Sequence, residues 1–251
     1  MITLKSPVQI EKMRQNGRLL ASCLDKLCAH VAPGVDTAYL DELAEQIIRQ
    51  SGAVPAFKGY NGFPSTICAS INEEVVHGIP SKKRVLKKGD IISIDIGLLK
   101  DGFYSDMATT VPVGEVELEA QRLLDVTRQS LCRGLEQVKI NNRLSDISHA
   151  VGSFVESESF YVVTEYVGHG IGRQLHEDPQ IPNFGPPGRG PRLQAGMVFA
   201  IEPMVKLDPE PTKVLEDGWT VVTKTGGLSA HFEHTVALTN KGFEILTAGG
   251  E

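Results

Sequence analysis

The sequence predicts an α+β protein with a mainly antiparallel sheet, and three observations carry that prediction. Segments of helical periodicity come in pairs, strand-like segments follow in hairpins, and one strand motif ending in an acid occurs twice. No G-x-G-x-x-G follows a strand and no G-x-x-x-x-G-K-[ST] occurs, which argues against a βαβ nucleotide fold. With 41% apolar and 22% charged residues, the 251-residue chain has the composition of a folded globular protein, not of a disordered one.

Each element follows from local chemistry. Ser6 can cap a helix that opens on Pro7, with Gln9 completing a capping box. The stripe Ile10, Met13, Leu20, Leu24, Leu27 and Val31 carries this helix to Pro33-Gly34. A second helix is expected from about Asp36 to Ser51, burying Leu40, Leu43 and Ile47. Two more are expected over about 115–139 and 145–158. Strands are expected near 66–71, 75–79, 90–96, 104–113, 161–168, 197–205, 219–225 and 231–238. Residues 178–192, DPQIPNFGPPGRGPR, read as a long Pro/Gly loop with no regular element, and such loops are often functional.

Charge and cysteine content narrow the function classes. A net charge of −6 argues against a general nucleic-acid binder. One run opposes the trend: SKKRVLKK places five basic residues between Lys82 and Lys88, either a solvated loop or a contact for a polyanion such as ribosomal RNA. Cys23, Cys28, Cys68 and Cys132 form no C-x-x-C pair, so reduced thiols are expected rather than a zinc knuckle or redox motif. No apolar run approaches the ~18 residues of a membrane span, and the opening MITLKSPVQIEKM has no secretory apolar core, so a cytoplasmic protein is expected.

The acid-ending strand supplies the chemistry. In LKKGDIISIDIG (86–97) and LQAGMVFAIEPM (193–204), Leu86 matches Leu193, Gly89 matches Gly196, Ile94 matches Ile201 and Asp95 falls on Glu202. A diverged internal repeat is the simplest account. It implies one unit, residues 1–251, made of two pseudo-symmetric halves at about 1–113 and 114–251. Ser93 and Ala200 precede the acids by two places on the same face, where something needs room. The Asp-Gly of KDGF (100–103) is a two-residue hairpin turn, which sets Asp95 opposite Ala108 and Asp106 opposite Gly97. Asp95 and Asp106 are then diagonal neighbours on one face. Glu202 and Glu233 make a similar pair in the second half. Each close pair of like charges costs about 4 kcal/mol at an effective dielectric of ~20, so four carboxylates in one pocket call for cations. His169, between glycines in VGHGIG, adds an imidazole. Four carboxylates and one imidazole suit two Mn²⁺, Fe²⁺, Co²⁺ or Zn²⁺ ions and point to hydrolysis.

These residues lie in motifs that resemble a known family. SINEEVVHGIP, GDIISIDIG, FYSDMATT, YVGHGIGRQLHEDPQIPNF, GMVFAIEPM and AHFEHT resemble the short bacterial type I methionine aminopeptidases, over nearly the whole chain. The resemblance implies the pseudo-two-fold pita-bread fold, a curved antiparallel sheet with two helix pairs on its outer face. It implies a cytoplasmic monomer, without membrane or DNA partners, that removes the initiator methionine from nascent chains when the second residue is small. It further implies Asp95, Asp106, His169, Glu202 and Glu233 as ligands of two divalent ions. Asp106 and Glu233 would bridge, His169 and Glu202 would hold one ion, and Asp95 would complete the other. A water bridging the ions would attack the scissile carbonyl with Glu202 as general base. His176 would bind the carbonyl or its oxyanion, and His77 the peptide nitrogen side. Phe57, Tyr60, Phe63, Cys68, Leu175 and Trp219 would wall the methionine pocket, and Asn72, Glu74 and Ser229 would hold a monovalent cation. Several relatives carry a cysteine in place of Phe57 and an aromatic in place of Leu175. Rival readings are a proline-specific peptidase of the same fold, a non-catalytic homologue that binds protein or RNA, and a carboxylate-only glycosidase, which would leave His169 unexplained.

Overall fold

A computed structural model describes residues 1–249, so the last two positions of the expected 1–251 unit lie outside the described residues. The helices are α1 (Pro7–Cys28), α2 (Thr37–Gln50), α3 (Leu118–Leu135) and α4 (Leu144–Ser157). The strands of the first half are β1 (Val54–Pro55), β2 (Ile67–Ile71), β3 (Glu74–Val76), β4 (Ile91–Lys100) and β5 (Phe103–Pro112). Those of the second half begin with β6 (Tyr161–Val162), β7 (Gly168–Gly170), β8 (Glu177–Ile181), β9 (Val198–Ile201) and β10 (Met204–Lys206). They end with β11 (Thr212–Val214), β12 (Val221–Thr223), β13 (Ser229–His231), β14 (Glu233–Thr239) and β15 (Gly242–Ile245).

The expected α+β class is observed. The main sheet runs β1-β4-β5-β14-β9-β7-β8, with β2 on β4 and β15 on β14, and every pair is antiparallel. Its outer face is apolar because β4 alternates: Ile92, Ile94 and Ile96 are fully buried under α1 and α2, while Ser93, Asp95 and Gly97 face inward. The second helix pair covers Phe199, Ile201 and Val236 in the same way. Capping at α1 is as read: the Ser6 side chain accepts from Gln9 N–H, and the Gln9 side chain accepts from Ser6 N–H at 2.8 Å. The helix ends at Cys28, short of Pro33.

The repeat is visible in the backbone. Gly89 and Gly196 both adopt positive φ, 96° and 97°, in turns that lead into β4 and β9. Gly89 N–H donates to Val113 and Gly196 N–H to Leu238, equivalent carbonyls beyond the partner strand's acid. The β4–β5 turn has positive φ at Asp101 (51°) and Gly102 (76°), and Asp95 pairs with Ala108 and Gly97 with Asp106. That register is the one the two-residue turn dictates.

Several expected strands are divided. The 197–205 segment splits at Glu202-Pro203, and Pro203 cannot donate to a ladder. The 161–168 segment yields only β6, with β7 beginning at Gly168. The 178–192 loop is corrected at its start: Glu177–Ile181 forms the edge strand β8 on β7, where an edge position tolerates Pro179. β3 stops at Val76 because His77 takes φ 59°, which a bulky residue holds only at a cost of order 1–3 kcal/mol.

Candidate metal centre

Two rows of side chains cross the inner face of the curled sheet. In the first, Cys68 pairs with Asp95, Asp95 with Ala108 and Ala108 with Glu233. The β9–β14 register, His234 with Ile201, continues so that Glu202 stands opposite Glu233. In the second row, two residues away on each strand, Gly97 pairs with Asp106, and Ala200 pairs with both Thr235 and His169. Thr235 Oγ1 donates to the Asp106 carbonyl at 2.7 Å and accepts from Asp106 N–H at 3.1 Å, which ties β5 to β14 within this row. Small residues, Ala108 and Ala200, thus stand among the acids and the imidazole on this face.

The convergence is close. Asp106, His169 and Glu233 present ligand atoms that all lie within 4.8 Å of one another. His169 Nε2 is 3.8 Å from Asp106 Oδ2 and 3.6 Å from Glu202 Oε1, and its Nδ1 lies 2.9 Å from the Gly170 carbonyl. Donation from Nδ1 to that carbonyl frees Nε2 as a lone-pair donor toward the acids. Asp95 Oδ1, Asp106 Oδ1 and Glu233 Oε1 are buried without a hydrogen-bond partner. Burial pushes the Asp95 carboxyl up to about 7. Burial, reinforced by the neighbouring acids, pushes Asp106, Glu202 and Glu233 well above the usual carboxylate range. Burial and the nearby His176 ring lower His169 to about 3. Orphaned carboxylate oxygens beside a neutral imidazole are a donor set that fits divalent cations.

A pH dependence follows for the metal-free protein. Raised carboxylate pKa values make the folded state bind more protons than the unfolded one at every pH above ~4, so stability falls as pH rises toward the folded values. The depressed histidines act in the opposite sense, but only below their unfolded value of ~6.5. The Tm of metal-free protein should therefore fall as pH rises from about 6.5 through the raised Asp95 value of about 7, and saturating Mn²⁺ should remove the fall. A metal-free Tm that rises across this interval contradicts the repulsive cluster.

Beside the acids lies a cavity of about 180 Å³. Phe57, Tyr60, Phe63, Cys68, Leu175 and Trp219 all line it, as do His77 and His176 and the five converging groups. Phe63 meets Trp219 edge to face at 5.1 Å between centroids. Gly97 makes room for this wall, because a Cβ there would lie 2.8 Å from the Phe57 ring. His176 Nδ1 is 2.7 Å from the Tyr60 hydroxyl, and the His176 ring stands 4.3 Å from that of His169. The turn carrying His176 is pinned by Glu177: its carboxylate accepts from Arg173 N–H (2.7 Å), Gln174 N–H (3.2 Å) and the buried Lys5 ammonium (2.6 Å).

Other expected residues sit differently. Glu74 accepts from Ile71 N–H at 2.7 Å and pairs with Arg84, while Asn72 is bonded through its side chain to Asp90 and Ile91 N–H. Ser229 Oγ donates to Val205. Each side chain of this trio thus has a protein partner, and Ser229 N–H also donates to the Asn72 carbonyl at 2.9 Å. Within the basic run, Arg84 is committed to Glu74 and Lys88 pairs with Glu115 at 2.6 Å.

Three contributors escaped the sequence reading. Asn61 also lines the cavity. Asn183, from the Pro/Gly loop, donates to the Glu202 carbonyl at 3.0 Å and holds the strand end. His231 places Nε2 3.8 Å from Glu202 Oε2. The signal for His231 was present, since two residues before Glu233 in an extended segment is the same face.

The model of metallopeptidase family M24 matches residues 11–240. Methionine aminopeptidase 1 of Bacillus subtilis (strain 168) is 55% identical over 98% of this chain and 99% of its own length. A crystal structure of methionine aminopeptidase from Rickettsia prowazekii superposes with TM-score 0.97 at 42% identity, covering 99% of this chain and 100% of that one. Prolidase from Pyrococcus furiosus, at 20% identity and TM-score 0.78, covers 99% of this chain and 66% of that one and shares the pita-bread fold. With both the family model and these near-full-length relatives in agreement, the chain belongs to metallopeptidase family M24, among its methionine aminopeptidases.

Proposed function

We propose that this enzyme removes the initiator methionine from nascent polypeptides whose second residue is small. The observation that carries the reading is that the five converging metal-binding candidates open directly into a small cavity walled by aromatic rings and a buried thiol. Aromatic edges favour a polarizable thioether, and the confined space beside the acids leaves little room for the next side chain. The unit acts as a single catalytic domain and a cytoplasmic monomer; no helix among the described residues is long and apolar enough to cross a membrane.

In this reading Asp95, Asp106, His169, Glu202 and Glu233 would hold two divalent ions, Mn, Fe(II), Co or Zn, with Asp106 and Glu233 as the shared ligands. Bound there, the ions supply a water of lowered pKa and a Lewis acid for the carbonyl. Glu202 takes the proton of the attacking water and passes it to the leaving nitrogen as the C–N bond breaks. Tyr60, donating to His176 Nδ1, leaves the proton on Nε2, from which His176 donates to the developing oxyanion. His77, held at positive φ, hydrogen-bonds on the peptide nitrogen side. Asn72, Glu74 and Ser229 would hold a monovalent cation near the cluster. Comparison of Met-Ala-Ser with Met-Lys-Ser tests the specificity: kcat/KM should strongly favour the first, and equal values contradict it.

The run from Lys82 to Lys88 serves as a ribosome contact. With Arg84 and Lys88 paired, its reach depends mainly on Lys82, Lys83 and Lys87. Reversing those three charges should weaken co-sedimentation with ribosomes at low salt and leave peptide hydrolysis intact. Unchanged co-sedimentation returns the run to a solvated loop.

A further inference from the structure

A third row crosses the inner face beyond the acids. Ser70 pairs with Ser93, Ser93 with Thr110, and on β10 Met204 pairs with His231. Thr110 closes the row: its Oγ1 donates to the His231 carbonyl at 2.8 Å and accepts from His231 N–H at 2.8 Å. The backbone of His231 is thus clamped on both polar atoms, and the residue is only 1% exposed. Its ring reaches the Glu202 oxygen that does not face His169. Glu202 Oε1 faces His169 Nε2 at 3.6 Å, and Glu202 Oε2 faces His231 Nε2 at 3.8 Å. Among the described residues, His231 Nε2 is buried with no hydrogen-bond partner.

A buried imidazole N–H without an acceptor costs about 1–3 kcal/mol, so such a group calls for an explanation. We propose that His231 is a positioning residue whose Nε2–H holds Glu202 Oε2, so that Oε1 is presented to the side of His169. The proposal rests on Glu202 acting as ligand and base, and adds what orients it. A carboxylate free to rotate would present either oxygen; one held from behind presents the same oxygen each time. Outer hydrogen bonds of this kind change metal affinity by roughly 10–100-fold when removed.

Gln and Met test the donor at nearly equal length and volume, because only Gln carries an N–H. His231→Met should weaken Mn²⁺ binding at least tenfold by calorimetry on the metal-free protein and lower kcat on Met-Ala-Ser, with KM little changed. His231→Gln should restore Mn²⁺ affinity to within about threefold of wild type. Circular dichroism and Tm of each metal-free variant are read first. If His231→Met does not fold, His231→Gln decides alone: affinity within threefold supports the donor role, and a tenfold or larger loss overturns it. Equal Mn²⁺ affinity for a folded Met variant and wild type also overturns it and leaves His231 as packing. Failure of the catalytic reading itself would look different, since wild-type protein would then bind no Mn²⁺ in the cluster or leave Met-Ala-Ser intact.

Discussion

Glu202→Ala should lose metal affinity and turnover together, whereas His176→Ala should keep its metal and lose kcat. Glu202 directly follows β9 and stands opposite Glu233, with one oxygen 3.6 Å from His169 Nε2. Removing it takes away both a donor to the cluster and the proposed base, which alone contributes roughly 10²–10⁴-fold. His176 instead projects from the turn pinned by Glu177, and its Nδ1 is 2.7 Å from the Tyr60 hydroxyl. A hydrogen bond to a developing oxyanion is strongest in the transition state, and its loss typically costs about 3–4 kcal/mol, or 10²–10³-fold in kcat. Metal analysis and steady-state kinetics on both variants separate the roles. A His176→Ala protein without metal would make His176 a ligand, and one with nearly full kcat would make it structural.

Ala108→Leu should abolish metal binding while leaving a folded metal-free protein. Ala108 pairs with Asp95 on one side and Glu233 on the other, and Asp106 lies two residues away on its own strand. A leucine there adds three carbons at the point where the carboxylates meet. Overpacking costs about 1–3 kcal/mol of stability, which a domain of this size can bear. The effect on metal affinity should reach about a hundredfold or more. Ala108→Ser, one atom larger, should retain most of it. Calorimetric titration with Mn²⁺ after a circular-dichroism check provides the measurement. Wild-type affinity in the leucine variant would mean that the carboxylates do not converge over Ala108.

The legibility of this site in the sequence had a physical basis. Asp95 stood out because a charge among isoleucines needs a partner, and the Asp-Gly turn fixed its register with Asp106 through a two-residue arithmetic that the structure reproduces. The match of Gly89 with Gly196 carried over because both turns need positive φ. Other features depend on long-range geometry. The alignment of β14 between β5 and β9 brings the two acid pairs into one face, and its pairing with β5 joins segments over a hundred residues apart in the chain. β8 was hidden because its pairing, not its composition, makes it a strand. His231 was overlooked although its place two residues before Glu233 puts it on the same face of an extended segment, because its approach to Glu202 depends on how distant strands pair. Likewise, charge counting over Lys82 to Lys88 could not reveal that Arg84 is spent on Glu74.

The proposed function requires Asp95, Asp106, His169, Glu202 and Glu233 together to hold two divalent ions. Anomalous diffraction from crystals equilibrated with Mn²⁺ tests it most directly. Two peaks ~3.5–4 Å apart are expected, bounded by these five side chains and shared by Asp106 and Glu233. Manganese bound elsewhere, or an empty cluster at saturating Mn²⁺, would contradict it.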